Sequence, residues 1–224
     1  MTQVAEKPPL DHALSAAGTA PVATPVVPNG GRMTFEEFLA WADEDTNAEW
    51  VDGEVIFMSP ASDPHQDLAD FLVTLVRLWV EARQSGWVRS NPFLMRLASR
   101  PSGREPDLVY VAEENRSRLR NAYVDGPADL VVEIVSPESQ QRDRVDKLRE
   151  YEQGGVREYW LIDRAQRQAG FYQLGPDSKY YPATVGADGI YHSAVIEGLW
   201  IKVEWLWQDP LPRIMDVLKE WKLI

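Results

Sequence analysis

Two acidic residues interrupt apolar runs of the chain in a way that suggests chemistry. Asp107 directly precedes the run at 108–111, and Glu133 lies inside a second run at 130–135. An ionised carboxylate is costly to bury without a partner. If the two runs are neighbouring strands, both carboxylates reach one edge of a sheet, where a cation is needed to offset their repulsion.

The residue types favour magnesium as that cation. Mg²⁺ prefers oxygen ligands and often takes one or two carboxylates, with water in its other positions. The chain has no Cys, and its three His residues lie far apart, at positions 12, 65 and 192. A zinc site built from several Cys or His ligands is therefore not expected. The sequence predicts Mg²⁺, or Mn²⁺ in its place, bound by Asp107 and Glu133.

A lysine that follows the second acid is a candidate positive charge for the same site. Asp143, Lys147 and Tyr151 are spaced at i, i+4 and i+8, so they share one face of a predicted helix. Lys147 can point from that face back towards the sheet edge where the acids gather. The spacing equally fits a surface ion pair between Asp143 and Lys147, and the residues alone leave both interpretations open.

The elements that must position these groups follow from periodicity and caps. Residues 1–31 are rich in Ala, Pro, Thr and Gly, which predicts a disordered tail before a single domain at 32–224. Thr34 and Glu37 form a capping box at the start of a short helix. A long helix is indicated by apolar residues at three- and four-residue spacings, namely Leu68, Phe71, Leu72, Leu75, Leu78 and Trp79.

The central strands are predicted to belong to one mixed sheet. The runs at 130–135 and 158–163 are joined by a charged helix that ends at Gly154-Gly155. That connection is long enough for a right-handed crossover, so the two strands are expected to be parallel neighbours. Neither strand alternates polar and apolar residues, which is typical of strands covered on both faces. The pattern is that of an α/β fold with helices flanking a central sheet.

Charge and hydropathy restrict the class of protein. The net charge of −12 and the pI near 4.7 argue against a nonspecific nucleic-acid coat protein, but are compatible with an enzyme that uses a local patch. Arginines at 83–120, Arg104 among them, are expected on a solvated surface. No apolar run is long enough to cross a membrane, and no secretory signal is expected, because the N-terminus lacks a basic region followed by an apolar block. With no Cys, a cytoplasmic location is expected.

An ordered set of motifs covers most of the globular part. They read EWVDGE, HQDL, REPDLVYV, DLVVEIVSPES and RDRVDKLREYEQGGVREYWLID. Together they resemble the Uma-two family, the restriction-endonuclease branch of the PD-(D/E)xK nuclease superfamily, over residues 33–207. The resemblance implies a restriction-endonuclease-like core with a central mixed β-sheet flanked by helices.

The same resemblance implies roles for the residues around the second acid. Asp107 and Glu133 match the two acids of the superfamily motif, and the Ile134 carbonyl is an implied further ligand of the metal. The motif expects Lys two residues after the second acid, but Val135 stands there. Lys147 is the matching position, with the lysine moved onto the following helix.

Further site residues are implied in the N-terminal half and on the same helix. Glu49 best fits the family's pattern of an acid before DGE, and Glu54 is the alternative. Five positions apart on a strand, these two acids are expected to face opposite sides. His65 matches a recurrent position and is expected to touch a phosphate or an acid, or to cap the helix. Tyr151 is an additional candidate.

By resemblance, the expected function is a Mg²⁺-dependent endonuclease that hydrolyses phosphodiester bonds of DNA, acting as a homodimer. Two other functions stay open. One is a nuclease-fold binding or scaffold module without turnover, which the acidic net charge favours slightly. The other is a metal-dependent hydrolase of small phosphoesters. The joint presence of Asp107, Glu133 and Lys147 argues against a decayed site.

Overall fold

The computed structural model describes residues 27–43, 46–136 and 142–224, except for the side chains of Asn29, Arg142 and Asp143. Most of the predicted tail, residues 1–26, therefore lies outside the described residues. Its last part forms a 3₁₀ turn at Pro28–Gly31. Within the described ranges, no helix combines the length and the apolar character that crossing a membrane requires.

Four α-helices are seen in the described part of the chain: α1 (Phe35–Trp41), α2 (Asp63–Arg83), α3 (Leu148–Gly154) and α4 (Ile214–Glu220). A π-helical turn, Arg142–Lys147, leads into α3. The strands, in chain order, are β1 (Ala48–Val51), β2 (Glu54–Phe57), β3 (Gly86–Ser90), β4 (Leu94–Leu97), β5 (Ser102–Arg104), β6 (Leu108–Ala112), β7 (Tyr123–Asp125), β8 (Leu130–Ile134), β9 (Glu158–Asp163), β10 (Gln168–Leu174), β11 (Tyr180–Pro182), β12 (Ile190–His192) and β13 (Trp200–Lys202).

The main sheet is six-stranded and mixed, in the order β11-β10-β9-β8-β6-β3. Its central pair, β8 and β9, is parallel, and the other pairs are antiparallel. The predicted parallel crossover through α3 is thus confirmed. The helix ends where the sequence indicates, since Gly155 adopts the left-handed conformation at its C-terminus.

Each face of the main sheet is covered by a different layer, which explains the apolar run of every central strand. The face that carries Leu130, Val132 and Ile134 packs on the apolar stripe of α2. The face that carries Val131 packs on Tyr151 of α3 and on residues of the second sheet. Because both faces of β8 are covered by other elements, its sequence does not alternate polar and apolar residues.

A second sheet of five strands, in the order β2-β1-β5-β4-β7, flanks the main sheet. Its β1–β2 hairpin turns at Asp52-Gly53, and both residues have positive φ, 52° and 89°. The helix α1 before this hairpin starts with the predicted capping box, in which Thr34 accepts from the Glu37 amide and Glu37 accepts from the Thr34 amide. The hairpin brings β1, which pairs with β5, close to the start of β6, where the Glu105 amide donates to Glu49.

Candidate functional site

Strand pairing brings the two predicted acids together. β6 and β8 are antiparallel with Leu108 opposite Val132, so the start of one strand meets the end of the other. Asp107 and Glu133 lie one position beyond that pair, at the same edge of the sheet. The backbone amide of Ile134 donates to Oδ2 of Asp107 over 2.6 Å, which fixes the carboxylate beside the end of β8.

A cavity of about 370 Å³ opens at this edge. Asp107, Glu133, Ile134, Lys147 and His65 are among the residues that line it. His65, in the first turn of α2, places its Nε2 2.9 Å from Oδ1 of Asp107. The predicted contact between this histidine and an acid is therefore present. The two oxygens of Asp107 are held by groups from different elements, so its orientation is well defined.

Lys147 lies in the interior and points at the acids. Its side chain is 2% exposed, and its Nζ lies 2.9 Å from both oxygens of Glu133 and 3.0 Å from Oε1 of Glu49. The hypothesis of a surface pair is thus wrong for Lys147, while the side chain of Asp143 lies outside the described residues. Tyr151, one helical turn further on, donates its hydroxyl to Oε1 of Glu133 over 2.6 Å.

The two N-terminal acids have opposite environments. Glu49 on β1 is fully buried and contacts Lys147, whereas Glu54 on β2 is exposed and pairs with Arg32 at 2.9 Å. Their supposed location on one strand is wrong, because the turn at 52–53 places them on paired strands. The expected opposite orientation is wrong as well: Val51 pairs with Glu54 and lies two residues from Glu49, so both acids are on one face of the hairpin, and they differ in burial instead. Of these two residues, Glu49 is the one that reaches the site.

Arg104 completes the network behind Glu49. Its Nη1 donates to Oε2 of Glu49 over 2.8 Å, and its Nε and Nη2 form a fork with the carboxylate of Glu150, the shortest contact being 2.7 Å. Arg104 is buried, so the expectation that it lies on a solvated surface is wrong. The buried charges form a chain of alternating sign, from Glu150 through Arg104, Glu49 and Lys147 to Glu133.

This alternation sets the ionisation of the buried groups. Burial alone would raise the pKa of Glu49, but the charges of Lys147 and Arg104 outweigh it and lower that pKa to about 2. Burial, and then the negative charge of Glu133, raises the pKa of Tyr151 well above its usual value. Tyr151 is therefore a stable hydroxyl donor to Glu133 at neutral pH.

Glu105 is a third carboxylate of the cavity that the sequence analysis missed. It is 8% exposed, lines the cavity beside Asp107, and its amide donates to Glu49 over 3.3 Å. Burial and then the nearby charge of Glu49 raise its pKa to about 7. The motif REPD, three charged residues around a proline at the start of a core strand, is the pattern that could have drawn attention to it.

Metal ligation by a larger set of side chains is not seen. Among residues 27–43, 46–136 and 142–224, no three or more His, Asp or Glu side chains are grouped so that they could hold one metal ion. What the cavity offers is a pair of fixed carboxylates, Asp107 and Glu133, with Glu105 nearby. Such an arrangement can bind a hydrated cation rather than a fully caged one.

Comparison with known proteins supplies the family context. A model described as Uma2, putative restriction endonuclease, matches residues 35–204. A solved structure, that of a putative nuclease belonging to DUF820 from Anabaena variabilis, superimposes with a TM-score of 0.64 at 17% identity, over 78% of this chain and 97% of that one. At this identity the likeness shows a shared fold. No curated protein sequence matches the chain.

Proposed function

Because the chain belongs to the Uma2 family of putative restriction endonucleases, we propose that it is a metal-dependent nuclease that hydrolyses phosphodiester bonds of DNA. The reaction adds one water across a P–O bond and leaves a phosphate monoester on one fragment and a hydroxyl on the other. The observation that carries the proposal is the cavity in which Asp107, Glu133 and Lys147, distant in sequence, meet at one sheet edge.

The charges that face this cavity support the need for a cation. Asp70, Glu105, Asp107 and Glu133 line it, and Lys147 already contacts two carboxylates. A phosphate would be repelled by such a surface unless a positive ion were bound first. The same surface is therefore unsuited to phosphate binding alone and well suited to a phosphate that arrives with, or after, a divalent cation.

The residues present fit Mg²⁺ or Mn²⁺. Asp107 and Glu133 would hold the ion, with the Ile134 carbonyl as the further ligand, and water would complete its coordination, as is common for Mg²⁺. A carboxylate has about four lone-pair sites, and the contacts to His65 and to the Ile134 amide use about two of them at Asp107. When bound, such an ion offsets phosphate charge and makes water a better nucleophile.

The remaining groups keep the ligands in position. His65 holds Asp107, and Tyr151 with Lys147 holds Glu133, so both carboxylates are fixed before any ion enters. Lys147 faces the cavity and, in our proposal, also stabilises negative charge that develops on the phosphate. Glu49, ionised at neutral pH and buried, pairs with Lys147, which lines the cavity.

The test is DNA cleavage combined with metal titration. Wild-type protein is expected to cleave plasmid or single-stranded DNA with Mg²⁺ or Mn²⁺ and to stop when EDTA is added. Asp107→Asn keeps the size of the side chain but removes its charge, and is expected to abolish cleavage and to weaken Mn²⁺ binding in calorimetric titrations.

The control is Asp52→Asn, an acid-to-amide change outside the cavity in a turn where Asn is equally favoured. It should bind metal and cleave as the wild type does. Metal binding that is equal in Asp107→Asn and wild type would remove Asp107 from the site. A wild-type protein that binds metal but cleaves neither plasmid nor single strands would instead favour a binding module.

A further inference from the structure

The neutral residues of the cavity are as informative as the charged ones. Beside the acids, it is lined by side-chain amides and hydroxyls, from Asn47, Ser59, Gln66, Ser90, Asn91 and Ser136. Amides and hydroxyls can donate and accept hydrogen bonds at once. They are suited to the polar edges of a nucleobase or to a sugar, whereas a groove that follows a phosphate backbone needs cations.

Cations for a duplex backbone are scarce around the cavity. Lys147 is the one positively charged residue among the described side chains that line it, and Glu133 and Glu49 neutralise it. Two arginines of the described residues are already engaged: Arg144 binds Asp163 at 2.6 Å, and Arg164 donates to backbone carbonyls of Pro64 and Gln208. A protein that holds duplex DNA can make about 6–10 phosphate contacts, and the lining side chains that the structure describes offer few groups for that purpose.

An aromatic ring stands at the same cavity. Phe57, the last residue of β2, lines it and is 40% exposed. Of the large apolar side chains that are exposed in the described ranges, Phe57 is the one that lines the cavity. Trp41 at the end of α1 supports the ring, with centroids 6.2 Å apart and planes at 74°. An exposed ring held by a second ring is a platform on which a base can stack.

We propose that the cavity takes a nucleotide of an unpaired strand, with its base stacked on Phe57 and its phosphate beside the divalent cation that Asp107 and Glu133 would hold. The inference rests on the proposed nuclease function and names its substrate class as single-stranded or unpaired DNA. An acidic protein can bind a nucleotide by base stacking and by a short polar pocket, because neither depends on a long row of phosphate contacts. In a duplex the bases are stacked inside the helix and cannot reach Phe57 without unpairing.

The experiment combines a change in the protein with a change in the substrate. Phe57→Ala and wild type are compared on a single-stranded oligonucleotide and on a strand of the same length built from abasic tetrahydrofuran units. Loss of one stacked base is expected to lower kcat/KM on the normal strand by about tenfold to hundredfold. On the abasic strand the two proteins should cleave equally, and Phe57→Trp should retain activity on the normal strand.

Two controls accompany it. Tyr181→Ala removes an exposed aromatic side chain on β11, which does not line the cavity, and should change neither rate. A fully paired, blunt-ended duplex of the same sequence should be cleaved at least about tenfold more slowly than the single strand. Thermal melts establish that each variant is folded.

Several results would overturn the inference. Equal losses for Phe57→Ala on normal and abasic strands would give Phe57 a structural role, and a duplex cleaved as fast as the single strand would exclude the substrate class. If no substrate is cleaved, the nuclease proposal fails separately, and the stacking site is decided by binding. Fluorescence anisotropy with Ca²⁺ should then show weaker binding of the normal strand to Phe57→Ala and equal binding of the abasic strand, and any other pattern refutes the site.

Discussion

The lysine at the centre of the buried network gives the sharpest test of the structure. Lys147→Met keeps a long, flexible side chain but removes the ammonium group that contacts Glu133 and Glu49. Glu49 still has Arg104 after the change, and Glu133 keeps the hydroxyl of Tyr151. Glu133 is therefore left buried, with a hydrogen-bond donor but without its positive partner.

The expected cost follows from that geometry. Removing one partner of a buried ion pair costs about 3–5 kcal/mol, because a charge remains in a poorly solvated place. A surface role would cost about 0–1 kcal/mol. For a domain of this size, each kcal/mol lowers the melting temperature by roughly 2–4 °C. Lys147→Met should therefore melt at least about 6 °C below the wild type.

A second substitution separates lost charge balance from lost packing. In the double variant Lys147→Met/Glu133→Gln, a neutral amide replaces the buried carboxylate, and its oxygen can still accept a hydrogen bond from the hydroxyl of Tyr151. This double variant should regain about 2 kcal/mol or more over Lys147→Met. Lys179→Met is the matched control, since it breaks the exposed pair of Lys179 with Glu152 and should cost less than about 1 kcal/mol.

The assay is urea unfolding at pH 7 in EDTA, with the free energy of unfolding taken from the midpoint and slope. If Lys147→Met costs no more than Lys179→Met, or if the double variant is no more stable than Lys147→Met, then Lys147 does not stabilise the fold by balancing the buried charge of Glu133. Cleavage rates measured well below the melting temperature then separate an effect on the catalytic step from an effect on folding. A folded Lys147→Met protein is expected to cleave roughly 10²-fold more slowly.

Three further outcomes are expected. The pKa of Glu49 is lowered from 4.5 to about 2, so its ionised form adds about 3 kcal/mol to the free energy of unfolding above pH 4.5. This stabilisation is lost as the pH falls to 2. Glu49→Gln should therefore flatten the acid side of a curve of unfolding free energy against pH. Glu105 has its pKa raised to about 7, so the fold loses stability as the pH rises from 4.5 to 7. Glu105→Gln should therefore gain about 2–3 kcal/mol in urea unfolding at pH 8 and nothing at pH 4. Deleting residues 1–26, which lack apolar periodicity, should leave the melting temperature unchanged, and a fall of more than a few degrees would contradict the predicted tail.

Local sequence patterns were sufficient to predict several elements of the fold. The stripe of α2 predicted its buried face, the capping box predicted the start of α1, and Gly155 predicted the end of α3. The length of the connection between β8 and β9 predicted their parallel pairing. These features depend on residues a few positions apart, or on chain length, and both can be seen in a sequence.

The part of the candidate site that lies on the strands was predictable from the same local patterns. Asp107 and Glu133 stand at the ends of apolar strands, and adjacency of those strands is enough to bring them to one edge. Lys147 could not be placed by spacing, because i, i+4 spacing fits a surface pair as well as a buried contact. The family resemblance pointed to the site, and burial against Glu133 and Glu49 shows where the side chain lies.

By itself, then, the sequence determined many of the elements, the parallel pairing of β8 with β9 and the two acids at strand ends. These follow from short-range periodicity, from the length of a connection and from the cost of an unpaired buried charge. Only the tertiary structure decided which groups the buried charged side chains contact. Arg104 contacts Glu150 and Glu49 across 46 and 55 residues, and Glu105 owes its raised pKa to burial beside Glu49. Charges interact through distance and solvent exposure, and neither quantity is recorded in local spacing.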